Sequence, residues 1–430
     1  MNNTPRSFMM SFEGRSGAWI IGLLSFFAMM PVVGFPIGRL SISLLVFVVP
    51  FYLAWAFRYN YIEKKYVGIL ILVCSWFAMT SMVNGHSVGS FLQSLIAFVL
   101  CVSVFAVKPS AHVLLRPAVG GFLCGLVVAF GVGFLDLLGS LTSLPQPHEY
   151  IPLPNWSIGG TYEVSGINRV RSLCNEPSGF ARQMVFAFAI LSFLRPTSRK
   201  AAMIVYLFQI TCICFLVLTF SLTGIILFAA FVIARYWRVL FSVKSGLKSI
   251  ISIAMGVTLI AAVFFFKKDL SIQDIVATYT ERVERGIRDV QAGVISSSTG
   301  MRLQSIIIPF EYIKDTGIKG LSIGEGYANQ EMWLYMNYAY DARSGMSSGS
   351  IYNLFSVVFI STGIIGLILY SFLILRMPMG VVGFRLPLMA LFVLFHFSTG
   401  LLLYFDMWIL LYAMYAYASV YHLRTSPSLR

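Results

Sequence analysis

The sequence contains little charge. Only 11% of its 430 residues are Asp, Glu, Lys or Arg, and 58% are hydrophobic, whereas an average soluble chain is roughly 25% charged and 45 to 50% apolar. This balance excludes a water-soluble globular enzyme. A membrane span needs about 20 mostly apolar residues, so about a dozen spans would use nearly all of the apolar residues. The sequence therefore predicts an all-α, polytopic integral membrane protein, with residues 1–430 forming a single membrane domain.

Acidic residues and cysteines are also scarce. The 17 Asp and Glu residues form no cluster of the kind that holds a metal in enzymes acting on nucleotide sugars. Five of the six cysteines lie in apolar segments and only Cys174 lies outside them, so neither an intrachain disulfide nor a zinc quartet is expected. We predict a protein without a metal or another cofactor.

Hydropathy averaged over a window of about 19 residues identifies twelve apolar segments. The predicted spans are Ala18–Phe35, Leu40–Phe57, Tyr66–Val83, Val88–Val107, Ala118–Leu138, Phe180–Leu194, Ala201–Phe220, Leu222–Ala234, Ser249–Phe266, Ile351–Leu375, Leu386–Thr399 and Tyr404–Val420. Two of the boundaries, at Ser221–Gly224 and Ser398–Gly400, divide long apolar runs at short polar interruptions. Ten or eleven spans are therefore an alternative.

The net charge of +14 would suit a nucleic-acid partner, but the positions of the cations along the chain indicate a membrane orientation instead. Alternate connecting segments, counted from the N-terminus, hold 18 of the 31 Lys and Arg residues and only two acids, Glu13 and Glu63. The positive-inside bias then places both termini in the cytoplasm. The first span is expected to stay uncleaved, because no A-x-A site follows it.

Two of the predicted outer loops are long, Gly139–Gly179 and Lys267–Ser350, and long loops on a helical scaffold often carry function. The chain has no internal repeat, which argues against the inverted duplication of many transporters. Few charged residues lie within the predicted spans. Asp136, Arg182 and Asp406 lie near the predicted outer ends. We expect His396 to be a hydrogen-bonded packing residue.

The third outer loop ends in a stretch rich in arginine, Asn168 to Arg182. Glu176-Pro177 suits the start of a helix, because proline is tolerated in the first turn and a carboxylate favours the positive end of the helix dipole. One interpretation is a capped sixth span with interfacial arginines. The other is that Arg169, Arg171 and Arg182 converge on a helix N-terminus and bind a diphosphate.

The fifth outer loop has two kinds of charged residue. Glu281/Arg285 and Glu284/Arg288 have the i,i+4 spacing of a solvated helix. Arg302 has no acid nearby in the sequence and follows the flexible stretch Ser296–Gly300, so it can offer its charge to an anionic ligand. The glycines at 317, 320, 324 and 326 predict a tight turn and are only weak evidence for phosphate binding.

At these residues the chain resembles the Wzy-like O-antigen and exopolysaccharide polymerases, which are related to O-antigen ligases. Three stretches carry the likeness: Arg169 to Ala181, Arg302 to Gly326 with its GLSIGEGY run, and Tyr352-Asn353 followed by Gly363-Ile364-Ile365-Gly366. Two departures stand out. Ligase-type members tend to have His-Asn where this chain has Tyr352-Asn353, and the Ser-Arg-Thr-Gly turn of many relatives is Ser221-Leu222-Thr223-Gly224 here.

The resemblance implies a metal-independent glycosyltransferase of the bacterial inner membrane that uses polyprenyl-diphosphate-linked oligosaccharides at the periplasmic face. It also implies a chain-length regulator and a flippase as partners. Glu176, Arg169 and Arg302 are the predicted catalytic residues, and Glu325, His148 and Glu149 are further candidates for the base. The predicted substrate-binding residues are Arg171, Arg182, Arg288, Glu325 and Tyr352. An O-antigen ligase and a transporter of lipid-linked oligosaccharide are the alternatives.

Overall fold

The computed structural model describes residues 12–31, 33–37, 40–85, 88–108, 115–142, 145–150, 163–164, 167–174, 176–194, 196, 198–240, 272–292, 298–327, 353–379, 385–398, 408–413 and 415. These residues are mainly helical. The helices are α1 (Phe12–Phe27), α2 (Leu44–Arg58), α3 (Lys64–Val83), α4 (Val88–Ser103), α5 (Leu115–Leu141), α6 (Pro147–Tyr150), α7 (Pro177–Phe193), α8 (Arg199–Leu218), α9 (Leu222–Leu240), α10 (Ile272–Ala292), α11 (Ser298–Ser322), α12 (Leu354–Met379) and α13 (Arg385–Ser398). Two short antiparallel hairpins pair β1 (Gly34–Ile37) with β2 (Leu40–Ser43), and β3 (Glu163–Val164) with β4 (Ile167–Asn168).

The helical class is as predicted, and several of the helices are apolar enough for a membrane. Within the described ranges, four are long and apolar enough to cross one: Lys64–Val83, Pro117–Leu141, Arg199–Leu218 and Leu354–Arg376. Shorter apolar helices cover Leu44–Arg58, Ser94–Ala106, Leu222–Tyr236 and Leu386–Ser398. These helices indicate a membrane protein. The predicted span Ser249–Phe266, and Tyr404–Val420 apart from residues 408–413 and 415, lie outside the described residues.

The first predicted span is wrong in its second half. We expected a helix from Ala18 to Phe35, but α1 ends at Phe27 and the chain then enters the β1–β2 hairpin. Pro31 and Pro36 explain the difference, because proline has no N–H for a helix and its ring clashes with the preceding turn. The side chain of Ser43 then starts α2 by accepting a hydrogen bond from the N–H of Leu45 at 3.4 Å.

Helix α7 lies at the centre of the fold. Fifteen of its 17 residues are buried, and its phenylalanines pack against α8, α9 and α13 through Phe180–Phe215, Phe188–Phe228 and Phe186–Phe395. By contrast, α3 and α8 expose large apolar side chains on one face. The amino end of α7 is therefore enclosed by other helices.

Contacts between helix ends define two ends of the described helices. At one end, Glu63 at the start of α3 lies 3.9 Å from Arg376 near the end of α12. We call this the inner end, after its predicted side. The opposite, outer end contains the last turns of α5, α8 and α13 and the first turns of α7 and α12, which the contacts described below connect.

Helix α12 is interrupted inside its apolar run. Gly363 has φ +68 and ψ −171, so the helical hydrogen bonds break there. Three neighbouring carbonyls find other donors: Ile360 accepts from the N–H of Glu325 (2.8 Å), Ser361 from the N–H of Gly326 (2.8 Å) and Thr362 from the indole N–H of Trp76 (2.9 Å). Broken helices are tolerated at membrane depth when protein satisfies the backbone in this way.

Candidate functional site at the outer end

A buried carboxylate holds the end of the third outer segment. Asp136, near the end of α5, is 2% exposed, and its Oδ2 accepts hydrogen bonds from the backbone N–H groups of Arg171 (3.2 Å) and Ser172 (2.7 Å). Ser172 has φ +48, a left-handed conformation that is unusual for serine, and its hydroxyl donates to the carbonyl of Ala129 at 2.6 Å. Asp136 therefore fixes the turn that carries Arg171.

This role was not predicted from the sequence. The signal was present, since a lone acid near the end of an apolar helix is often structural or functional. We had assigned Asp136 only a place near the interface. Through its two hydrogen bonds, Asp136 connects α5 to the arginine-rich stretch.

Arg169 and Arg182 bind the carboxyl ends of two neighbouring helices. Nε of Arg169 donates to the carbonyl of Thr219, just after α8, at 2.7 Å. Nη1 of Arg182 donates to the carbonyl of Ser398, the last residue of α13, at 3.2 Å, and Arg182 is buried. Such terminal carbonyls carry partial negative charge. Each hydrogen bond limits the positions that the guanidinium can take, and a planar fork is what bidentate phosphate recognition needs.

The start of α7 is as predicted. Pro177 is its first residue, and the carbonyl of Glu176 accepts from the N–H groups of Gly179 (3.0 Å) and Phe180 (3.2 Å). The half-exposed side chain of Glu176 accepts a hydrogen bond from the Ser178 hydroxyl at 2.9 Å through Oε2. Arg182 belongs to the same end of the helix, because its Nη2 lies 4.0 Å from the position that a Cβ on Gly179 would occupy. Whether Glu176 acts as a base stays a prediction.

The fifth outer segment reaches the amino end of α12. The hydroxyl of Ser356 donates to the carbonyl of Ser305 on α11 at 2.6 Å, and Asn353 caps α12 by accepting from the N–H of Phe355 at 3.1 Å. Arg302 is half-buried and lies one turn before Ser305. The arginine singled out from the sequence therefore stands beside the first turn of α12.

A chain of contacts joins this turn to the arginines around α7. The ring of Phe355 stacks on His396 with centroids 5.1 Å apart and meets the ring of Phe397 edge-on at 5.3 Å. Both belong to the last turn of α13, whose Ser398 carbonyl accepts the hydrogen bond of Arg182. The third and fifth outer segments thus meet at the same end of the helices. That they share one pocket stays a prediction.

His396 is a packing residue, as expected. It is fully buried, its Nε2 lies 2.9 Å from the hydroxyl of Tyr370, and its Nδ1 is hydrogen-bonded to the carbonyl of Phe392. The histidine therefore ties α13 to α12.

Glu325 lies in the glycine-rich turn, which is docked on α12. The hydroxyl of Tyr312 donates to Oε1 of Glu325 at 2.9 Å. Burial, and then the charge of Glu325, raises the pKa of Tyr312 above its ordinary value, so its proton stays in this bond. Because the N–H groups of Glu325 and Gly326 bind carbonyls of α12, they serve packing rather than a phosphate.

The remaining predicted residues lie on α6 and α10 or outside the described ranges. Arg285 and Glu281 form the expected i,i+4 ion pair at 2.6 Å, and Arg288 is exposed on the same helix, α10. Glu149 is exposed on α6. Tyr352, Asp406 and the side chain of His148 are not among the residues that the structure describes.

The chain matches no family model, and no match is found among curated proteins. Among the residues with described positions, no three His, Cys, Asp or Glu side chains come together as a metal site would require. The absence of a metal from the reaction is still a prediction. The outer-end geometry is accordingly the main structural support for an assignment of function.

Proposed function

We propose that this protein is a polysaccharide polymerase. It transfers a growing glycan from polyprenyl diphosphate to a lipid-linked repeat unit on the extracytoplasmic face, in exopolysaccharide or O-antigen synthesis of a bacterial inner membrane. The supporting observation is that arginines of two distant outer segments are carried to one end of the helices. Arg169 and Arg182 stand around the start of α7, and Arg302 stands beside the first turn of α12.

The chemistry needs such an arrangement. A hydroxyl oxygen of the incoming repeat unit attacks the anomeric carbon of the growing glycan, a new glycosidic bond forms, and the bond to the diphosphate oxygen breaks. The departing polyprenyl diphosphate gains negative charge, so fixed guanidinium groups stabilise the transition state more than the ground state. Arg169 is fixed by its bond to Thr219 and Arg182 by its bond to Ser398.

The proton of the attacking hydroxyl must pass to a base within hydrogen-bond reach. Glu176 is the first candidate, because its half-exposed carboxylate stands at the amino end of α7 among the arginines. Glu325 accepts a hydrogen bond from the hydroxyl of Tyr312 on α11, and we assign Glu325 to binding the sugar acceptor. Arg171, Arg288 and Tyr352 complete the proposed substrate-binding set.

The test is the length of the glycan made by arginine variants in a strain that lacks the native copy. We expect Arg169→Ala and Arg302→Ala each to lose about 2.7 to 4 kcal/mol of transition-state stabilisation, the effect of removing one charge-stabilising donor. Lysine should rescue poorly at both positions if the contact is bidentate. Arg285→Ala, on the exposed face of α10, is the matched control and should leave the ladder unchanged.

Arg169 also donates a hydrogen bond to the carbonyl of Thr219, so its removal can lower the amount of folded protein. The protein level in the membrane is therefore measured for each variant. Normal ladders from both alanine variants at normal protein level would overturn the proposal. The same strain separates the alternatives. Loss of a polymerase leaves single repeat units, whereas loss of a ligase leaves long chains on the carrier lipid.

A further inference from the structure

An open groove runs between α1 and α5. It has a volume of about 440 Å³ and is lined by apolar residues: Trp19, Gly22, Leu23, Phe26, Pro117 and Gly121. The two helices cross closely there, because a Cβ on Gly121 would overlap the carbonyl oxygen of Gly22. Glycines permit such a close approach between membrane helices, but they supply no side chain to fill the space beside the crossing. The groove is the space that the two glycines leave open.

The groove lies toward the inner end of the helices. A Cβ on Gly17 of α1 would overlap the ring of Trp55, near the end of α2. The ring of Trp55 stacks on that of Tyr61 with centroids 5.2 Å apart, and Glu63 belongs to the ion pair that marks the inner end. Helix α1 therefore begins at the inner end, and Trp19 lies close to it.

Helix α5 runs in the same direction as α1. The carbonyl oxygen of Gly22 contacts Gly121, and the carbonyl oxygen of Phe26 lies 2.6 Å from the position that a Cβ on Gly125 would occupy. Asp136, at the outer-end site, is about 15 residues beyond Gly121 on this helix, or about 22 Å at the rise of an α-helix. The groove is therefore well separated from the outer-end site.

Two arginines lie at the inner mouth of the groove. Arg15 is one turn before Trp19 on the same face of α1, and Arg116 directly precedes Pro117 on α5. Glu13, the acid nearest to Arg15 in the sequence, occupies a different face of α1, the one that packs against α2. The mouth of the groove therefore carries an excess of positive charge.

The apolar lining and the charged mouth together match an anionic phospholipid. Pro117–Leu141 is a candidate membrane span, so lipid surrounds the groove and an acyl chain can fill it. A phosphate at the mouth would be paired with two arginines, whereas a zwitterionic headgroup brings its own cation. Trp19 is 76% exposed, and exposed tryptophan is typical of the boundary between hydrocarbon and headgroups. The charge at the mouth therefore favours an anionic headgroup.

We propose that the groove between α1 and α5 binds one anionic phospholipid, with an acyl chain along Gly22 and Gly121 and the phosphate at Arg15 and Arg116. Basic sites between membrane helices recognise anionic headgroups in this way. The bound lipid supplies apolar contacts at the point where the two glycines supply no side chain. The inference does not depend on the proposed transferase activity.

The test is the quenching of Trp19 fluorescence by brominated lipid. Purified protein is reconstituted in phosphatidylcholine vesicles that contain a rising fraction of phosphatidylglycerol brominated in its acyl chains, or of phosphatidylcholine brominated in the same way. The difference between the unaltered chain and Trp19→Phe isolates the signal of Trp19 from that of the other tryptophans. We expect half-maximal quenching at a roughly tenfold lower fraction of phosphatidylglycerol, because two cations attract its headgroup.

Two double variants locate the preference, each measured with its own Trp19→Phe counterpart. Arg15→Gln/Arg116→Gln should bring the half-maximal fractions of the two lipids together. Arg199→Gln/Lys200→Gln, which removes two exposed cations at the start of α8, is the matched control and should keep the difference. If the first double variant does not yield folded protein, Arg116→Gln alone replaces it and should raise the half-maximal fraction of phosphatidylglycerol roughly threefold.

Equal half-maximal fractions in the unaltered chain would show that the groove holds only bulk lipid and would overturn the proposal. A preference that persists without Arg15 and Arg116 would overturn it as well, because the charge would then act elsewhere. Farnesyl diphosphate, added at about one tenth of the amount of brominated phosphatidylglycerol, should leave the quenching unchanged. Full recovery of the fluorescence would show that the groove binds a polyprenyl diphosphate instead, which also contradicts the proposal.

Discussion

Two outer segments of this protein are attached to the helices by different means. The third outer segment, here residues 167–174, is held mostly by side chains: the carboxylate of Asp136 binds two N–H groups, and Arg169 binds the carbonyl of Thr219. One backbone hydrogen bond, from the N–H of Val170 to the carbonyl of Leu218, adds to these. The turn of the fifth segment, residues 323–327, is attached to α12 by backbone: the N–H groups of Glu325 and Gly326 bind carbonyls of α12. Side chains of α3 also bind this turn, since Asn84 donates to the carbonyl of Gly324 and Ser81 to that of Tyr327.

The difference has a consequence for mutation. An attachment made by a side chain disappears when that side chain is removed, and it leaves buried backbone groups without partners. An attachment made by backbone survives the loss of most side chains. It is broken when a new Cβ pushes the two backbone segments apart. The third outer segment should therefore be sensitive to the loss of a charged side chain, and the turn of the fifth segment to the replacement of a glycine.

The largest effect is expected for Asp136→Ala, which breaks the side-chain attachment. It leaves the N–H groups of Arg171 and Ser172 buried without their acceptor, and each such group costs about 1 to 3 kcal/mol. We expect a loss of about 2 to 4 kcal/mol in the free energy of unfolding, seen as a lower Tm of the purified protein in detergent. Asp136→Asn keeps one acceptor oxygen and should lose less. An unchanged Tm for the alanine variant would show that the turn does not depend on this carboxylate.

The backbone attachment is tested by Gly324→Ala with Gly317→Ala as its control. Both glycines have positive φ, +73 and +62, so both substitutions strain the backbone. A Cβ on Gly324 would lie 2.5 Å from the carbonyl oxygen of Ile360, whereas a Cβ on Gly317 meets nothing within 4 Å. We expect Gly324→Ala to cost about 2 kcal/mol more than Gly317→Ala, within the range of overpacking. Equal Tm values for the two would mean that the turn is not pressed against α12.

The smallest effect is expected for Arg285→Ala on α10, which touches neither attachment. Its ion pair with Glu281 is exposed, at 54% and 60% for the two side chains, and such pairs contribute about 0 to 1 kcal/mol. The Tm should stay within experimental error. A fall as large as that of Asp136→Ala would show that α10 is packed against a part of the molecule that uses this arginine.

Several features could be predicted because their signals are local. Glu176-Pro177 marked the start of α7, and the polar interruption after Phe220 marked the boundary between α8 and α9. The spacing of Glu281 and Arg285 predicted their ion pair. In each case the deciding groups lie within about one turn of helix, so neighbouring residues suffice to define the structure.

Other features could not be predicted, because their partners are far away in the sequence. Arg182 and Ser398 are 216 residues apart, and Trp76 and Thr362 are 286 residues apart. Gly363 lies in an apolar run that the sequence predicts as one uninterrupted span, and the partners of the carbonyls at its break, the turn at Glu325 and the indole of Trp76, are far away in the sequence. The predicted end of the first span was wrong for a different reason. Hydropathy averaged over a window of residues gives the apolar residues more weight than the two prolines.

The sequence by itself determined that the chain is apolar and helical, where its cations are concentrated, and which arginines lie in the long segments between apolar runs. These properties follow from composition and from neighbours along the chain. The tertiary structure decided which carbonyl each arginine binds, that Asp136 holds the third outer segment, and that a glycine turn enters the break in α12. Those outcomes depend on which buried polar groups find partners across the fold, because unpaired backbone groups are costly wherever water is excluded.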